Sequence, residues 1–107
     1  MNNISIKEYN YKSQKEFENY KEKCLLIFKS KDCPPCKMYD IILSENIFEL
    51  PIYIVSDVFE TPEIASAFQV CSTPTTIFFD KGEEIKRKYG IENIKDEIIK
   101  FLEENNE

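Results

Sequence analysis

Two short stretches of the chain, 24–28 and 52–55, contain only apolar and aromatic side chains. Runs of this length without polar alternation are typical of strands that are buried on both faces of a sheet. A weaker signal near residues 4–6, with an isoleucine at each end, is consistent with one more strand. We therefore expect at least two buried strands in the middle of a sheet.

The segment from residue 75 to residue 90 predicts a β-hairpin. Residues 75–79 are β-branched or aromatic, 80–83 contain the turn residues Asp and Gly, and 84–89 can return as a second strand. Gly90 ends the hairpin.

Helix signals separate the predicted strands. Apolar residues at helical spacing, such as Met38, Ile41 and Ile42, mark a helix that runs from Pro34 to about Ser44. Capping residues and a proline at the first helical position mark the starts of the others. The predicted helices begin at a capping box at 13–16, at Pro34, at Thr61-Pro62 and at Asn93. The last of these helices has an apolar face that consists of Ile94, Ile98, Phe101 and Leu102.

Buried strands that alternate with helices predict an α/β fold with a parallel sheet, to which the hairpin adds an antiparallel edge. The length of 107 residues suits one domain, 1–107. The net charge of −6 argues against nucleic acid and against an anionic membrane surface as partners. No stretch is apolar for long enough to cross a bilayer, and residues 1–8 lack the blocks of a signal peptide, so we expect a cytoplasmic protein.

Four cysteines and the absence of histidine set the candidate chemistry. Without histidine, cysteine–histidine catalysis and mixed thiolate–imidazole zinc sites are excluded. Cys33-Pro34-Pro35-Cys36 lies between a buried strand and a helix within a strand–helix–strand unit, where a C-x-x-C pair favours redox chemistry. Half of an all-thiolate zinc site is the alternative, although Cys24 and Cys71 have poor spacing for it.

The position of Cys33 at a helix start favours its thiolate, which is the attacking species in disulfide exchange. Pro34 can occupy the first helical position, where a missing N–H is harmless. Because Pro34 and Pro35 both lack an N–H, the N–H of Cys36 is the nearest donor left for the Cys33 sulfur. We expect Cys33 to be the nucleophile and Cys36, one turn further and more buried, to resolve the mixed disulfide. A thiolate with fewer hydrogen-bond donors is less stabilised in the reduced protein, which favours a reductant over an oxidant.

These residues resemble the thioredoxin family. Cys33-Pro34-Pro35-Cys36, followed by Lys37, is similar to the active-site segment of that family. The chain then continues in a way that is also similar: Ser72-Thr73-Pro74-Thr75 matches the substrate-binding loop, 77–83 match a strand and hairpin turn, and Gly90 matches a glycine after the last strand. The resemblance covers residues from about 13 to 104.

The resemblance implies a three-layer α/β/α fold with a central mixed sheet of four or five strands. It also implies a cis peptide bond before Pro74 and an exposed backbone at Thr73 that pairs with an extended substrate segment, with Pro34 and Pro35 as further substrate contacts. Activity would need no cofactor or metal beyond the Cys33–Cys36 disulfide. The implied partners are protein disulfides and a flavin thioredoxin reductase, and we expect a monomer.

Several positions depart from the family pattern. Asp32 stands where the family usually has Trp, and Ile41 stands where it has a helix-kinking Pro. Ile27 stands where it has a buried Asp that helps the proton move, so another group must accept the proton of the resolving thiol. Asp40, one turn beyond the second cysteine, and Asp57, at the end of the second strand, are the candidates for proton transfer through water.

Three alternatives stay open at this point. The zinc module is one, and a glutaredoxin-like protein that uses glutathione or holds an iron–sulfur cluster is another, although Thr75-Thr76 stands where that pattern has Gly-Gly. The third is a non-catalytic binding or adaptor protein with the same fold. Outside the motif, Cys24 is interpreted as a small buried hydrophobe, and Cys71 as an inert thiol or a regulatory one.

Overall fold

Five strands form one mixed sheet in the computed structural model, which describes residues 3–5, 15, 19 and 22–104. The spatial order of the strands within the described part of the chain is β1-β3-β2-β4-β5. The strands are β1 (Asn3–Ser5), β2 (Lys23–Phe28), β3 (Ile52–Val55), β4 (Thr75–Asp80) and β5 (Glu83–Tyr89).

The centre of the sheet is β2, which runs parallel to β3 and antiparallel to β4. The weak strand signal near the N-terminus corresponds to β1, which pairs in parallel with the outer side of β3. On the other edge β5 pairs antiparallel with β4, as a hairpin requires. The mixed sheet predicted from the sequence is therefore confirmed, with two parallel strand pairs and two antiparallel pairs, one of which is the hairpin.

Three helices are described in full: α1 (Pro34–Glu45), α2 (Pro62–Ala67) and α3 (Ile94–Glu103). Each begins at the proline or after the capping residue that the sequence indicated. The helix predicted to start at the capping box 13–16 lies outside the described residues, apart from Lys15 and Asn19, which are helical.

Apolar side chains cover both faces of the sheet. On one face Leu25 and Ile27 pack with Tyr39 of α1 and with Ile98 and Phe101 of α3. On the opposite face Leu26, Phe28 and Ile77 pack with Ile64 and Ala65 of α2. Successive residues of β2 join different clusters because strand side chains alternate between faces. The result is the expected three-layer α/β/α arrangement.

The predicted start of α1 is correct, but the apolar spacing identified its buried face only in part, since Ile42 alone of the three predicted residues packs against the core. Met38 and Ile41 are exposed, whereas Cys36 and Tyr39 are buried against the sheet. The buried face follows the three-residue spacing from Cys33, which itself occupies the N-cap. The side of α1 that faces the core therefore carries Cys36, Tyr39 and Ile42, and Met38 and Ile41 lie outside it.

The capping residues also behave differently from a simple N-cap. Thr61 and Asn93 occupy the N-cap positions of α2 and α3, but neither side chain caps its helix. The Thr61 hydroxyl instead donates to the carbonyl oxygen of Asp57, which tightens the loop before α2. Asn93 adopts a left-handed backbone with φ of 58°, a conformation that Asn tolerates well.

Candidate active site

The connection from β2 to α1 places Cys33 at the N-cap of the helix. Cys33 has extended backbone angles, and its carbonyl oxygen accepts the N–H of Lys37 at 3.2 Å as the first bond of the helix. Its Sγ accepts the N–H of Cys36 at 3.2 Å. This is the donor that the sequence identified, because the intervening residues Pro34 and Pro35 have none. The sulfur therefore faces the positive end of the helix dipole.

Cys33 and Cys36 are joined in a disulfide. Their Cα atoms are 5.2 Å apart, which lies within the usual range for disulfides. Cys33 exposes 6% of its surface and Cys36 exposes 3%. The first cysteine is thus slightly more accessible at the helix start, while the second lies one turn further in. Pro34 and Pro35 are exposed between them and form the surface beside the disulfide.

A second segment, 72–75, lies against the disulfide from the other side. The Thr73–Pro74 peptide bond is cis, and Pro74 is buried. The carbonyl oxygen of Thr73 lies 3.6 Å from Cys33 Sγ. The hydroxyl of Thr73 is hydrogen-bonded to that of Ser30 at 2.7 Å, which ties the segment to the β2–α1 connection. The N–H of Gly90 donates to the carbonyl oxygen of Pro74 at 2.9 Å. Two connections that are distant in sequence therefore meet at the sulfur pair, and a third, at Gly90, is hydrogen-bonded to Pro74.

The thioredoxin family model matches residues 3–104 of the chain, which include both of these segments. The chain belongs to the thioredoxin family. It is 35% identical over 80 residues to a thioredoxin of Chlamydia trachomatis, an alignment that covers 73% of this chain and 78% of that protein. It is also 39% identical over 69 residues to the bifunctional thioredoxin reductase/thioredoxin of Mycobacterium leprae, covering 62% of this chain and 15% of that protein.

The fold agrees with this assignment. The thioredoxin NaTrxh from Nicotiana alata superposes with a TM-score of 0.77 at 22% identity, covering 94% of this chain and 92% of that one. Thioredoxins act through their own disulfide without a cofactor, and this chain carries that disulfide at the family position. The chain is therefore a thiol–disulfide oxidoreductase that acts on protein disulfides.

Two further observations on the described residues concern metal binding and membrane-spanning helices. Within 3–5, 15, 19 and 22–104, no group of three or more Cys, Asp or Glu side chains is arranged to hold a metal ion. In the same part of the chain, no helix has both the length and the apolar composition needed to cross a membrane.

The carboxylates considered for proton transfer are each bound to another group. Asp40, which is half-exposed, accepts a hydrogen bond from Lys29 Nζ at 2.5 Å. Asp57 Oδ1 accepts the backbone N–H of Phe59 at 3.0 Å. Ile27, at the position of the usual thioredoxin Asp, is fully buried. The structure thus brings Cys33, Cys36, Thr73 and Pro74 together, and it gives each aspartate a different immediate partner.

A buried polar pair that the sequence analysis did not identify lies beneath the thioredoxin active-site helix. The phenol of Tyr39, one turn after Cys36, is hydrogen-bonded to the hydroxyl of Thr76 at 2.8 Å. Burial raises the pKa of Tyr39. Thr76 stands directly opposite Ile27 in the β2–β4 register. Two neutral hydroxyls therefore occupy the region beside the site of the missing carboxylate. The two residues are 37 positions apart, so no local spacing could have revealed the pair.

The two remaining cysteines lie in contrasting surroundings. Cys24 is buried in β2, and burial raises the pKa of its thiol to about 12. Cys71 is exposed, three residues before Pro74. The burial of Cys24 agrees with its interpretation as a small hydrophobe. Cys71 is a free thiol near the segment that carries the cis peptide bond.

Proposed function

We propose that this protein is a dithiol reductant of protein disulfides, with Cys33 as the nucleophile and Cys36 as the resolving thiol. One observation carries the proposal: Cys33 Sγ accepts the N–H of Cys36 at the start of α1, at the edge that Thr73 lines. Helix-terminal N–H groups and the helix dipole stabilise a thiolate at that atom.

The reaction proceeds in two exchange steps. The Cys33 thiolate attacks one sulfur of a substrate disulfide, the substrate S–S bond breaks, and the electron pair leaves with the other substrate sulfur as a thiolate. The thiolate of Cys36 then attacks Cys33 Sγ in the mixed disulfide. This step releases the second substrate thiol and leaves Cys33 and Cys36 oxidised, so two electrons pass from the pair to the substrate.

The Cys36 proton needs an acceptor because Ile27 replaces the usual carboxylate. Asp40 and Asp57 are our candidates, and each would act through water. Asp40 lies one turn after the resolving cysteine, and Asp57 follows the end of β3. The carboxylate of Asp40 also forms an ion pair with Lys29.

The direction of transfer follows from the number of donors at the Cys33 sulfur. Pro34 and Pro35 remove two N–H groups from the first turn, and Asp32 adds a negative charge beside them. The positive charges of Lys29, Lys31 and Lys37 oppose the effect of the negative charge of Asp32. A thiolate with fewer donors is less stabilised in the reduced protein, and a less stable reduced form is a stronger reductant.

We propose that an extended substrate segment pairs with the backbone of Thr73 beside Pro74, and contacts the exposed faces of Pro34 and Pro35. The carbonyl oxygen of Thr73 is within 3.6 Å of Cys33 Sγ, so a peptide paired there would present its own sulfur to the nucleophile.

A thioredoxin reductase is the proposed electron donor. The Mycobacterium leprae relative is a bifunctional thioredoxin reductase/thioredoxin, which supports this pairing. We further propose a cytoplasmic monomer with one domain at 1–107. A single family match over residues 3–104 supports the one domain, and free thiols outside the motif suit a reducing compartment.

The test uses a Cys36→Ser variant that also carries Cys71→Ser. With insulin as the disulfide substrate, we expect a stable mixed disulfide through Cys33, which mass spectrometry of the intact adduct and of its peptides identifies. The matched control, Cys33→Ser with Cys71→Ser, should form little adduct. An adduct through Cys36 would contradict the assignment of roles.

Redox titration of the unmodified protein against dithiothreitol tests the direction. A reductant should give a potential nearer to about −270 mV than to about −180 mV. A reduction potential nearer to about −180 mV would contradict the proposal that the protein acts as a reductant. Efficient turnover with glutathione as the only reductant would instead favour the glutaredoxin-like alternative.

A further inference from the structure

The side chains of Ser30 and Thr73 join the two segments that border the disulfide. Their hydroxyl oxygens are hydrogen-bonded at 2.7 Å, although the residues are 43 positions apart in sequence. Ser30 lies three residues before Cys33, and Thr73 comes directly before Pro74. The bond therefore connects the chain that leads into the nucleophile with the segment proposed to pair with a substrate.

The backbone next to Ser30 is held by the neighbouring strand and the loop after it. The N–H of Lys29 donates to the carbonyl oxygen of Val55 at 2.9 Å, and the carbonyl oxygen of Lys29 accepts the N–H of Val58 at 2.9 Å. These bonds extend the pairing of β2 with β3 beyond Phe28, the last residue of β2. The Ser30 hydroxyl thus projects from a fixed part of the fold.

The segment that carries Thr73 has further hydrogen bonds of its own. The Thr75 hydroxyl donates to the carbonyl oxygen of Ser72 at 2.7 Å, and the carbonyl oxygen of Pro74 accepts the N–H of Gly90 at 2.9 Å. These two bonds tie the segment to itself and to the end of the β4–β5 hairpin. The bond between the two hydroxyls adds a tie to the β2–α1 connection, where the nucleophile begins the helix.

This tie is close to the reacting atom. The carbonyl oxygen of Thr73 lies 3.6 Å from Cys33 Sγ. The carbonyl and the bonded hydroxyl belong to one β-branched residue, whose χ1 rotation is restricted. Holding the hydroxyl against Ser30 therefore limits how far the carbonyl moves relative to the sulfur. A displacement of about 1 Å can cost about 100-fold in rate, so the position of this carbonyl matters.

An ordered segment is the better partner for an extended substrate. Fixing the backbone of a flexible residue costs free energy, and a segment that is ordered before binding does not incur this cost when the substrate arrives. Pairing of an extended peptide depends on main-chain hydrogen bonds, so it is sensitive to the order of Thr73. A small disulfide without a peptide backbone makes no such pairing and gains nothing from the ordered segment.

The bond contributes to position more than to the stability of the fold. Ser30 and Thr73 are both partly exposed, so water can replace the lost partner when either hydroxyl is removed. The full penalty for an unpaired hydroxyl applies to buried groups, such as Thr76. Loss of the bond should therefore leave the free energy of unfolding nearly unchanged, while its effect on a paired substrate remains.

We propose that Ser30 is a positioning residue for the substrate. Its hydroxyl holds Thr73 so that the backbone of this residue is ready to pair with the extended segment beside a reactive disulfide. The bond thereby favours peptide and protein disulfides over small disulfides that offer no backbone. This inference rests on the proposed reductant function and adds the residue that sets the preference between these two classes of substrate.

The test measures the second-order rate constants with which the reduced protein reduces two substrates. One is a synthetic disulfide of two extended peptides, and the other is dithiobis(nitrobenzoate), which has no peptide backbone. In Ser30→Ala we expect the ratio of the peptide rate constant to the dithiobis(nitrobenzoate) rate constant to fall about fivefold, the contribution of one typical hydrogen bond. Ser30→Thr keeps a hydroxyl and should recover most of this ratio.

Ser44→Ala is the matched control, since it also removes one serine hydroxyl. Ser44 donates to the carbonyl oxygen of Ile41 at 2.8 Å near the end of α1, away from the disulfide. Its ratio of rate constants should equal that of the unmodified protein. Urea unfolding of both variants measures their stability. A large loss of stability in Ser30→Ala would assign the hydroxyl to the fold and would overturn the positioning role.

A second variant removes the other partner of the bond. Thr73→Val lacks the hydroxyl and keeps the shape of the side chain, so it should lower the ratio as much as Ser30→Ala does. The double variant should then lose about as much as either single variant, because the same bond is missing in all three proteins. Losses that multiply would show that the two hydroxyls act separately, and they would overturn the inference.

The outcomes separate this inference from the function on which it rests. An unchanged ratio in Ser30→Ala, whether the two rate constants stay the same or fall together, would overturn the positioning role while the reductant function stands. If the unmodified protein, once reduced with dithiothreitol and freed from it, reduces neither substrate, the proposed function is overturned, and this inference falls with it.

Discussion

Burial decides the chemistry of the two cysteines that lie outside the disulfide. Cys24 is enclosed by the sheet, and desolvation raises the pKa of its thiol to about 12. Cys71 is exposed and lies on the wall of a surface cavity that Thr73 and Phe59 also line. Since the thiolate is the reactive species, a group that stays protonated and enclosed reacts slowly. The same side chain is therefore inert at one position and available at the other.

We expect the oxidised protein to take up one equivalent of iodoacetamide at pH 8, and this equivalent should be on Cys71. Cys33 and Cys36 are protected as a disulfide, and Cys24 is both buried and protonated. Peptide mass spectrometry of the alkylated protein checks this expectation. Rapid labelling of Cys24 under native conditions would contradict the burial described here.

Cys24 should also make folding stability fall at alkaline pH. Its pKa is about 12 in the folded chain and 9.0 as a model thiol, so between these values only the unfolded state loses the proton. The contribution is complete below pH 9 and is lost as the pH rises towards 12. From pH 8 to pH 10 we expect the free energy of unfolding to fall by about 1 kcal/mol from this group.

Urea unfolding of the oxidised protein at the two pH values measures this fall. In a Cys24→Ala variant the space left in the core by the missing sulfur should lower stability at both pH values. The pH-dependent part of the stability that is due to this thiol should disappear. An equal decline in both proteins would assign the alkaline loss to other groups.

At the level of helices and strands, the contact between α1 and β4 aligns the two halves of the site. The helix carries Cys33 and Cys36, and the strand begins directly after Pro74. The hydrogen bond between Tyr39 and Thr76 joins them in the core. A buried hydroxyl that loses its partner costs about 1–3 kcal/mol, so this bond favours one register of the helix on the sheet.

A double-mutant cycle tests that contact. Tyr39→Phe leaves the Thr76 hydroxyl buried without its partner and should lower the free energy of unfolding by about 1–3 kcal/mol. Adding Thr76→Val removes the second hydroxyl, so the double variant should lose less than the sum of the single variants. Urea titration of the four proteins gives the coupling energy. Simple additivity would contradict a direct energetic link between the two groups.

Across the entire fold, one sheet connects two apolar clusters. β2 contributes Leu25 and Ile27 to one cluster and Leu26 and Phe28 to the other, so neither cluster can persist without this strand. The proposal of a single domain follows from this sharing, because units that share a central strand unfold together.

Substitutions in the two clusters should therefore shift one common transition. We expect Ile98→Ala on the α1 and α3 side, and Ile64→Ala on the α2 side, each to lower stability by about 2–5 kcal/mol. Far-UV and near-UV circular dichroism should report the same midpoint in each variant. Two resolved transitions in either variant would contradict a single cooperative domain.

Local rules were sufficient for most elements of the fold. The apolar runs predicted β2 and β3, the Asp-Lys-Gly-Glu turn predicted the hairpin, and prolines at first positions predicted where α1 and α2 begin. These signals act over a few residues, through side-chain alternation and backbone donors, and a sequence displays them directly. The bond from the Cys36 N–H to Cys33 Sγ belongs to the same class, because that N–H is the nearest donor left after two prolines.

Packing between segments that are distant in sequence determined the other features of the fold and of the site. The inward face of α1, the approach of Thr73 to Cys33 and the pairing of Tyr39 with Thr76 all join segments far apart in sequence. Such contacts depend on how helices dock on a twisted sheet, which local propensities do not encode. The chain alone thus specified the redox motif and its helix start, while folding specified the surface against which a substrate would lie.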